Sequence, residues 1–184
     1  MDDVLRRLDR LESLAAIQQL PVRYALAVDG RDLDAWVGLF VNDVDCGRHG
    51  KGRPVLRGII EPQLRTFYRS IHLICGHRVD FADADHATGA VYCRAEHEDA
   101  GRWVIMAIIY FDDYARRDGR WFFTRRREKH WYCADWSARP TAPFQDWPNH
   151  DLPPRLPADF PQWRDFWAGG DVANVTQLTE EPIW

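Results

Sequence analysis

Apolar residues recur every three to four positions near the start of the chain: Val4, Leu5, Leu8, Leu11, Leu14 and Ala15. That spacing predicts a helix over 3–28. Ser13 offers a second starting point, and Pro21 should kink or restart the helix, because proline removes a helix hydrogen bond. Asp29-Gly30 is a stop signal. Asp32 then caps a short helix carrying Leu33, Trp36, Val37 and Phe40. Residues 43–57, rich in Gly, Arg and Asp, read as a loop with two short strand-like stretches, and 62–68 as another short helix. From residue 71 the period drops to two. Segments 77–82, 87–98, 102–116 and 120–132, rich in Val, Ile, Phe, Tyr and Trp, predict strands. Turn residues at 83–86, 99–101 and 117–119 separate them, and Asp118-Gly119 is a strong hairpin signal. Helices followed by an antiparallel meander make an α+β fold, with a curved sheet wrapped against N-terminal helices.

Periodicity ends after Trp136. Residues 137–184 hold eight of the eleven prolines, together with Trp147, Trp163, Trp167 and Trp184. So aromatic a segment is expected to be ordered. The chain therefore divides into a domain at 1–136 and a Pro/Trp-rich arm at 137–184, packed on the pocket mouth or on a neighbouring subunit.

The 184 residues suit one globular domain, and the formal net charge of −4 gives no basic field for nucleic acid. The run Arg125-Arg126-Arg127 is read as solvated or ion-paired. The opening MDDVLRRLDRLE resembles neither a signal peptide nor a membrane span, so a cytoplasmic protein with no membrane partner is expected. Cys46, Cys75, Cys93 and Cys133 are widely spaced and match neither a metal site nor a disulfide framework.

Two histidines, His72 and His77, flank Leu73-Ile74-Cys75-Gly76. On a regular strand a separation of five puts them on opposite faces, so at most one serves a given site. His72 stands among apolar residues at the opening of the sheet, where burial favours the neutral ring that a general base requires. Asp29 ends the main helix and is a candidate to orient that ring. The alternative is a satisfied core histidine and a turn aspartate.

The stretch AAIQQLPVRYALAVDGRDLDAWVGLF, a histidine before a four-stranded meander, and YARRDGRWFFTRRREKHWY together resemble the SnoaL-like family of the nuclear transport factor two-like superfamily. The resemblance spans about residues 13–132. It is nearest in pattern to scytalone dehydratase and bile-acid dehydratase, with hexachlorocyclohexane dehydrochlorinase as a cousin. It implies a cone-shaped α+β barrel, a homo-oligomer with a trimer favoured, and elimination with no cofactor and no metal. The family's aspartate and histidine fall on Asp29 and His72. A second histidine falls on His97, with Gly89 and Arg94 also matching, and a tyrosine of bile-acid dehydratase falls on Tyr24. Substrate-holding positions fall near Cys46, Ile108 and Tyr110, where this chain departs from the residue types of scytalone dehydratase.

The reading that results is a lyase. His72 removes a proton, Asp29 orients it, and His97, Tyr24 or Tyr110 assists departure of water or, by retro-aldol cleavage, of formaldehyde. Trp36, Phe40, Val104, Met106 and Ile108 supply an apolar wall suited to a small hydrophobic aromatic or polycyclic substrate. Alternatives are a non-catalytic binding module, and an isomerase or epoxide hydrolase on the same fold. A further one is a metal enzyme using His97, Asp99 and His130. His86 is expected in a solvent-facing turn, His49 and Arg53 in a loop, and Trp131 and Tyr132 leading into the arm.

Overall fold

The computed structural model describes residues 2–99 and 102–137. All but the first residue of the expected arm lies outside the described residues.

Helix α1 spans Asp2–Asp29 without a break at Ser13 or Pro21. Ile17, Leu20, Pro21, Tyr24 and Val28 are buried along one stripe. Their packing outweighs the single backbone bond that Pro21 forfeits. The helix stops as expected: Gly30 N–H bonds the Leu26 carbonyl at 2.9 Å. A Cβ on Gly30 would stand only 2.9 Å from that oxygen. Arg31 follows in the left-handed region, with φ 58°. Helix α2, Leu33–Gly38, is capped by Asp32, whose side chain accepts from Ala35 N. Phe40 lies just beyond it and bridges in parallel to Phe123.

The expected loop at 43–57 and helix at 62–68 need correction. Helix α3 runs Arg53–Leu64, with Pro54 in its first turn and Pro62 near its end. The burial pattern explains the shift. Leu56 and Ile60 pack on the core and Leu64 is buried, a four-residue spacing on one face. Proline in a first turn costs nothing, because that N–H has no helical acceptor. Arg53 is not a loop residue; its guanidinium bonds the carbonyls of Gly38 and Phe40.

Four strands follow: β1 Ser70–Phe81, β2 His86–Asp99, β3 Arg102–Arg117 and β4 Arg120–Asp135. They pair antiparallel in the order β1-β2-β3-β4. Trp131 and Tyr132 belong to β4 instead of leading into the arm. Helix α1 packs against both edge strands, β1 and β4, and closes the curved sheet into a cone. One core cluster joins α1, α2 and the start of β4. A second lines the inner face of β2 and β3 with Val91, Cys93, Ala95, Val104, Met106, Ile108 and Tyr110.

Three bulges reset which residues face inward. β1 has an extra residue at Cys75, between Ile74 and Gly76. β4 has extra residues at Thr124 and Trp131. The first overturns the expectation that His72 and His77 face opposite ways: burial on β1 falls on Ser70, His72 and Ile74, then on His77, Val79 and Phe81. Both histidines point into the cone.

Candidate active site

The main helix delivers Asp29 to the start of β1. There Asp29 Oδ1 lies 2.7 Å from His72 Nδ1 and accepts a bond from Ser70 Oγ at 2.7 Å. Asp29 Oδ2 accepts the backbone N–H of His72 at 2.8 Å. A carboxylate only accepts, so in the neutral ring Nδ1 carries the proton and Nε2 the lone pair. Burial pushes Asp29 up, but the bonds from the His72 ring, Ser70 and the His72 backbone outweigh it and hold the carboxyl below its usual value.

Arg31 anchors this corner. Its guanidinium donates to the Val28 carbonyl (2.7 Å), to Ser70 Oγ (3.0 Å) and to the carbonyls of Phe67 and Tyr68. The left-handed turn that ends α1 thereby ties the helix terminus to β1, and Ser70 passes the constraint to Asp29.

His97 stands beside the pair on the inner face of β2, its ring 5.7 Å from that of His72 and near-perpendicular to it. Phe67 covers its other side at 4.6 Å. His97 is only 4% exposed. Burial, helped by the neighbouring His72, pushes it down to about 3. It is therefore uncharged over the ordinary pH range.

Tyr24 on α1 links this corner to the rest of the interior. Its ring is 6.4 Å from His72, 5.9 Å from Tyr110 and 5.7 Å from Trp36. Burial raises Tyr24 to about 12 and Tyr110 well above its usual value, so both phenols keep their protons. Met106 and Ile108 line the same inner face as Tyr110. Trp36 and Phe40 stack on each other at 5.0 Å in the helix-side cluster. Cys46 packs on that cluster too, and burial raises its thiol.

A buried network escaped the sequence reading. Arg126 makes two 2.8 Å bonds to Asp112, both side chains almost fully buried. Its guanidinium lies within 4.5 Å of the ring centres of Tyr24, Tyr110 and Phe123. Burial opposes the charge, and Asp112 more than offsets it, leaving Arg126 raised. Among the described residues Arg126 Nη1 has no hydrogen-bond partner. Such a buried donor suits an oxygen or a departing anion. Asp112 also accepts from Tyr114 (2.8 Å), whose hydroxyl lies 3.0 Å from His77 Nε2. A Cβ on Gly89 would sit 2.9 Å from the Tyr114 ring and 3.0 Å from His77 Nε2, so this strand crossing requires glycine. The run 125–127 thus splits by face: Arg126 is internal, while Arg127 is exposed and 3.6 Å from Asp113.

His130 also faces inward and pairs with Glu128. His97 and Asp99 share the inner face of β2. Among the described residues, however, no three His, Cys, Asp or Glu side chains come together to hold a metal. His86 opens β2 half-exposed and pairs with Asp83 at 3.0 Å. No described helix is long and apolar enough to cross a membrane.

The SnoaL-like domain model matches residues 9–127. Gamma-hexachlorocyclohexane dehydrochlorinase of Sphingobium indicum is 29% identical over 129 residues, covering 65% of this chain and 81% of that protein. The crystal structure of a type 2 hexachlorocyclohexane dehydrochlorinase, LinA, aligns with TM-score 0.64 at 26% identity, over 74% of this chain and 97% of that one. A candidate scytalone dehydratase from Novosphingobium aromaticivorans aligns with TM-score 0.62 at 23% identity, over 76% and 94% of the two chains, and shares the fold. The architecture is that of the nuclear transport factor two-like superfamily.

Proposed function

The chain belongs to the SnoaL-like domain family, and within it we propose a cofactor-independent lyase that acts on a hydrophobic, hydroxylated aromatic or polycyclic substrate. The observation that carries this reading is the Asp29–His72 pair, with Nδ1 held at 2.7 Å and the ring oriented by a carboxylate that is itself clamped through Ser70. In this mechanism His72 Nε2 removes a proton from the substrate, and Asp29 stabilises the imidazolium that forms. Removal from carbon, followed by loss of a β-hydroxyl as water, is dehydration. Removal from the hydroxyl of a hydroxymethyl group, followed by cleavage of the adjacent carbon–carbon bond, releases formaldehyde, and the electron pair left on carbon expels a β-leaving group or takes the proton back from His72. In this reading neutral Tyr24, Tyr110 or His97, or the Arg126 Nη1 donor, helps the leaving group depart. Met106, Ile108 and the aromatic cluster exclude water, which strengthens each of these interactions. The small-molecule lyase chemistry in the relatives' names supports the class of reaction, not the substrate.

A mass-spectrometric screen tests this. Wild type and His72→Ala are incubated with hydroxylated aromatic, diaryl and polycyclic compounds. Loss of water or of formaldehyde in wild type alone is the expected result. Turnover undiminished in His72→Ala would remove the dyad from the mechanism.

A further inference from the structure

A buried ion pair borders the proposed base. Arg126 of β4 and Asp112 of β3 meet fork to fork, Nε on Oδ1 and Nη2 on Oδ2, each at 2.8 Å. Their side chains are 5% and 0% exposed. The remaining nitrogen, Nη1, is buried and has no hydrogen-bond partner among the described residues. A donor so placed costs free energy until something accepts from it. The rings of Tyr24, Tyr110 and Phe123 wall the guanidinium, with centres 4.3, 4.1 and 4.5 Å from its carbon. Tyr24 also stands 6.4 Å from the His72 ring. The donor therefore lies one aromatic ring away from the base, in surroundings that suit a flat ligand.

The charge of the pair decides which acceptor fits. Asp112 neutralises the guanidinium and is itself held in place. Its Oδ2 accepts from the Tyr114 hydroxyl at 2.8 Å, and the Tyr114 oxygen lies 3.0 Å from His77 Nε2. A carboxylate only accepts, so the hydroxyl hydrogen is committed to Asp112 and His77 donates to the Tyr114 oxygen. The chain of bonds ties β1, β3 and β4 together inside the cone. An anionic group entering here would lose its hydration and gain little, because the cation it would pair with is already matched by Asp112. A neutral oxygen has far less hydration to lose and still receives the Nη1 hydrogen.

Resting on the lyase reading, we propose that Arg126 Nη1 is a substrate-recognition donor for a neutral oxygen, hydroxyl or carbonyl, and that Asp112 is the residue that sets this preference against carboxylates. The substrate carries such an oxygen on its aromatic or polycyclic frame, and its carboxylated counterpart is disfavoured.

Three biphenyls of nearly one shape test this by equilibrium dialysis near neutral pH. 4-Acetylbiphenyl offers a neutral acceptor, biphenyl-4-carboxylate an anionic one, and 4-isopropenylbiphenyl none. Wild type should bind the ketone about tenfold or more above the alkene, the worth of a hydrogen bond from a charged donor, and should also place it above the carboxylate. Asp112→Asn unmasks the guanidinium charge. It should move the ketone-to-carboxylate ratio about tenfold or more toward the carboxylate, with the ketone still ahead of the alkene. Replacing both partners, Arg126→Met with Asp112→Leu, should erase the lead of the ketone over the alkene, since exchanging a whole buried pair for apolar residues spares the fold more than removing one partner. If the double variant fails to fold, Asp112→Asn decides. Ketone and alkene bound alike by wild type, or a ketone-to-carboxylate ratio unmoved by Asp112→Asn, overturns the proposal, as does wild type binding none of the three. These are binding ratios, so turnover insensitive to His72→Ala would sink the lyase reading without moving them.

Discussion

Asp29→Asn is the substitution that most directly tests the dyad. Three donors converge on the two carboxylate oxygens: the His72 backbone N–H at 2.8 Å, the His72 ring at 2.7 Å and Ser70 Oγ at 2.7 Å. Asparagine offers one oxygen and one NH2. The backbone N–H cannot turn away, so the amide oxygen must take the Oδ2 place. The NH2 then faces Ser70 Oγ and His72 Nδ1. A hydroxyl rotates and accepts at little cost. The ring can accept only by moving its proton to Nε2, which removes the lone pair the mechanism needs. Stability should fall by about 1–3 kcal/mol as charge-assisted bonds become neutral ones. Turnover should fall about 10²- to 10⁴-fold, the worth of a general base. A long-range 1H–15N spectrum of the imidazole reports the tautomer directly, alongside kcat. A ring that stays Nδ1-protonated in the variant, or a kcat within about tenfold of wild type, would refute the reasoning.

The remaining predictions concern stability. His97 is held at about 3 by burial, below the ordinary histidine value of 6.5. The unfolded chain therefore binds the extra proton first, and stability drops as pH falls from about 6.5 toward 3, by about 3 kcal/mol at pH 4.5. Urea midpoints at pH 7 and 4.5 should show this loss, and His97→Gln should lack it; equal pH slopes would mean that His97 does not titrate this way. Asp112→Ala strands the buried Arg126 charge and should cost about 3–5 kcal/mol in urea unfolding, with Asp112→Asn milder; a loss below about 1 kcal/mol would contradict the pairing. Gly89→Ala drives a Cβ to 2.9 Å from the Arg78 carbonyl as well as from the Tyr114 ring. It should destabilise by about 1–3 kcal/mol, lowering the melting temperature by roughly 2–4 °C per kcal/mol in a chain of this length. An unchanged melting temperature would show that the crossing has slack.

Local chemistry was legible in the residues alone where one short stretch decides the outcome. Asp29-Gly30 marks the end of α1, although the left-handed residue is Arg31 just after it, and Asp32 caps the next helix by accepting from Ala35 N. Asp118-Gly119 makes the last hairpin, and both its residues take positive φ. Asp29 and His72 stood as candidates one by one and were paired chiefly through the family resemblance, since the sequence put the first strand at 77–82 and β1 begins at Ser70. The start of α3 was missed, since Gly52 and Pro54 look like loop residues until Leu56, Ile60 and Leu64 find a core to face.

What only the tertiary structure decided is which way the strand side chains point. Alternation along a strand predicts faces only until a bulge inserts one residue and reverses the parity. The bulge at Cys75 turns His77 inward with His72, and those at Thr124 and Trp131 set the phase that brings Arg126, Glu128 and His130 into the cone. Gly76 beside the first bulge is a local hint, whereas Thr124 and Trp131 give none. Each arises because twisted neighbouring strands must keep their register while the sheet curves closed around α1, a condition set by the whole sheet and carried by no single segment of sequence.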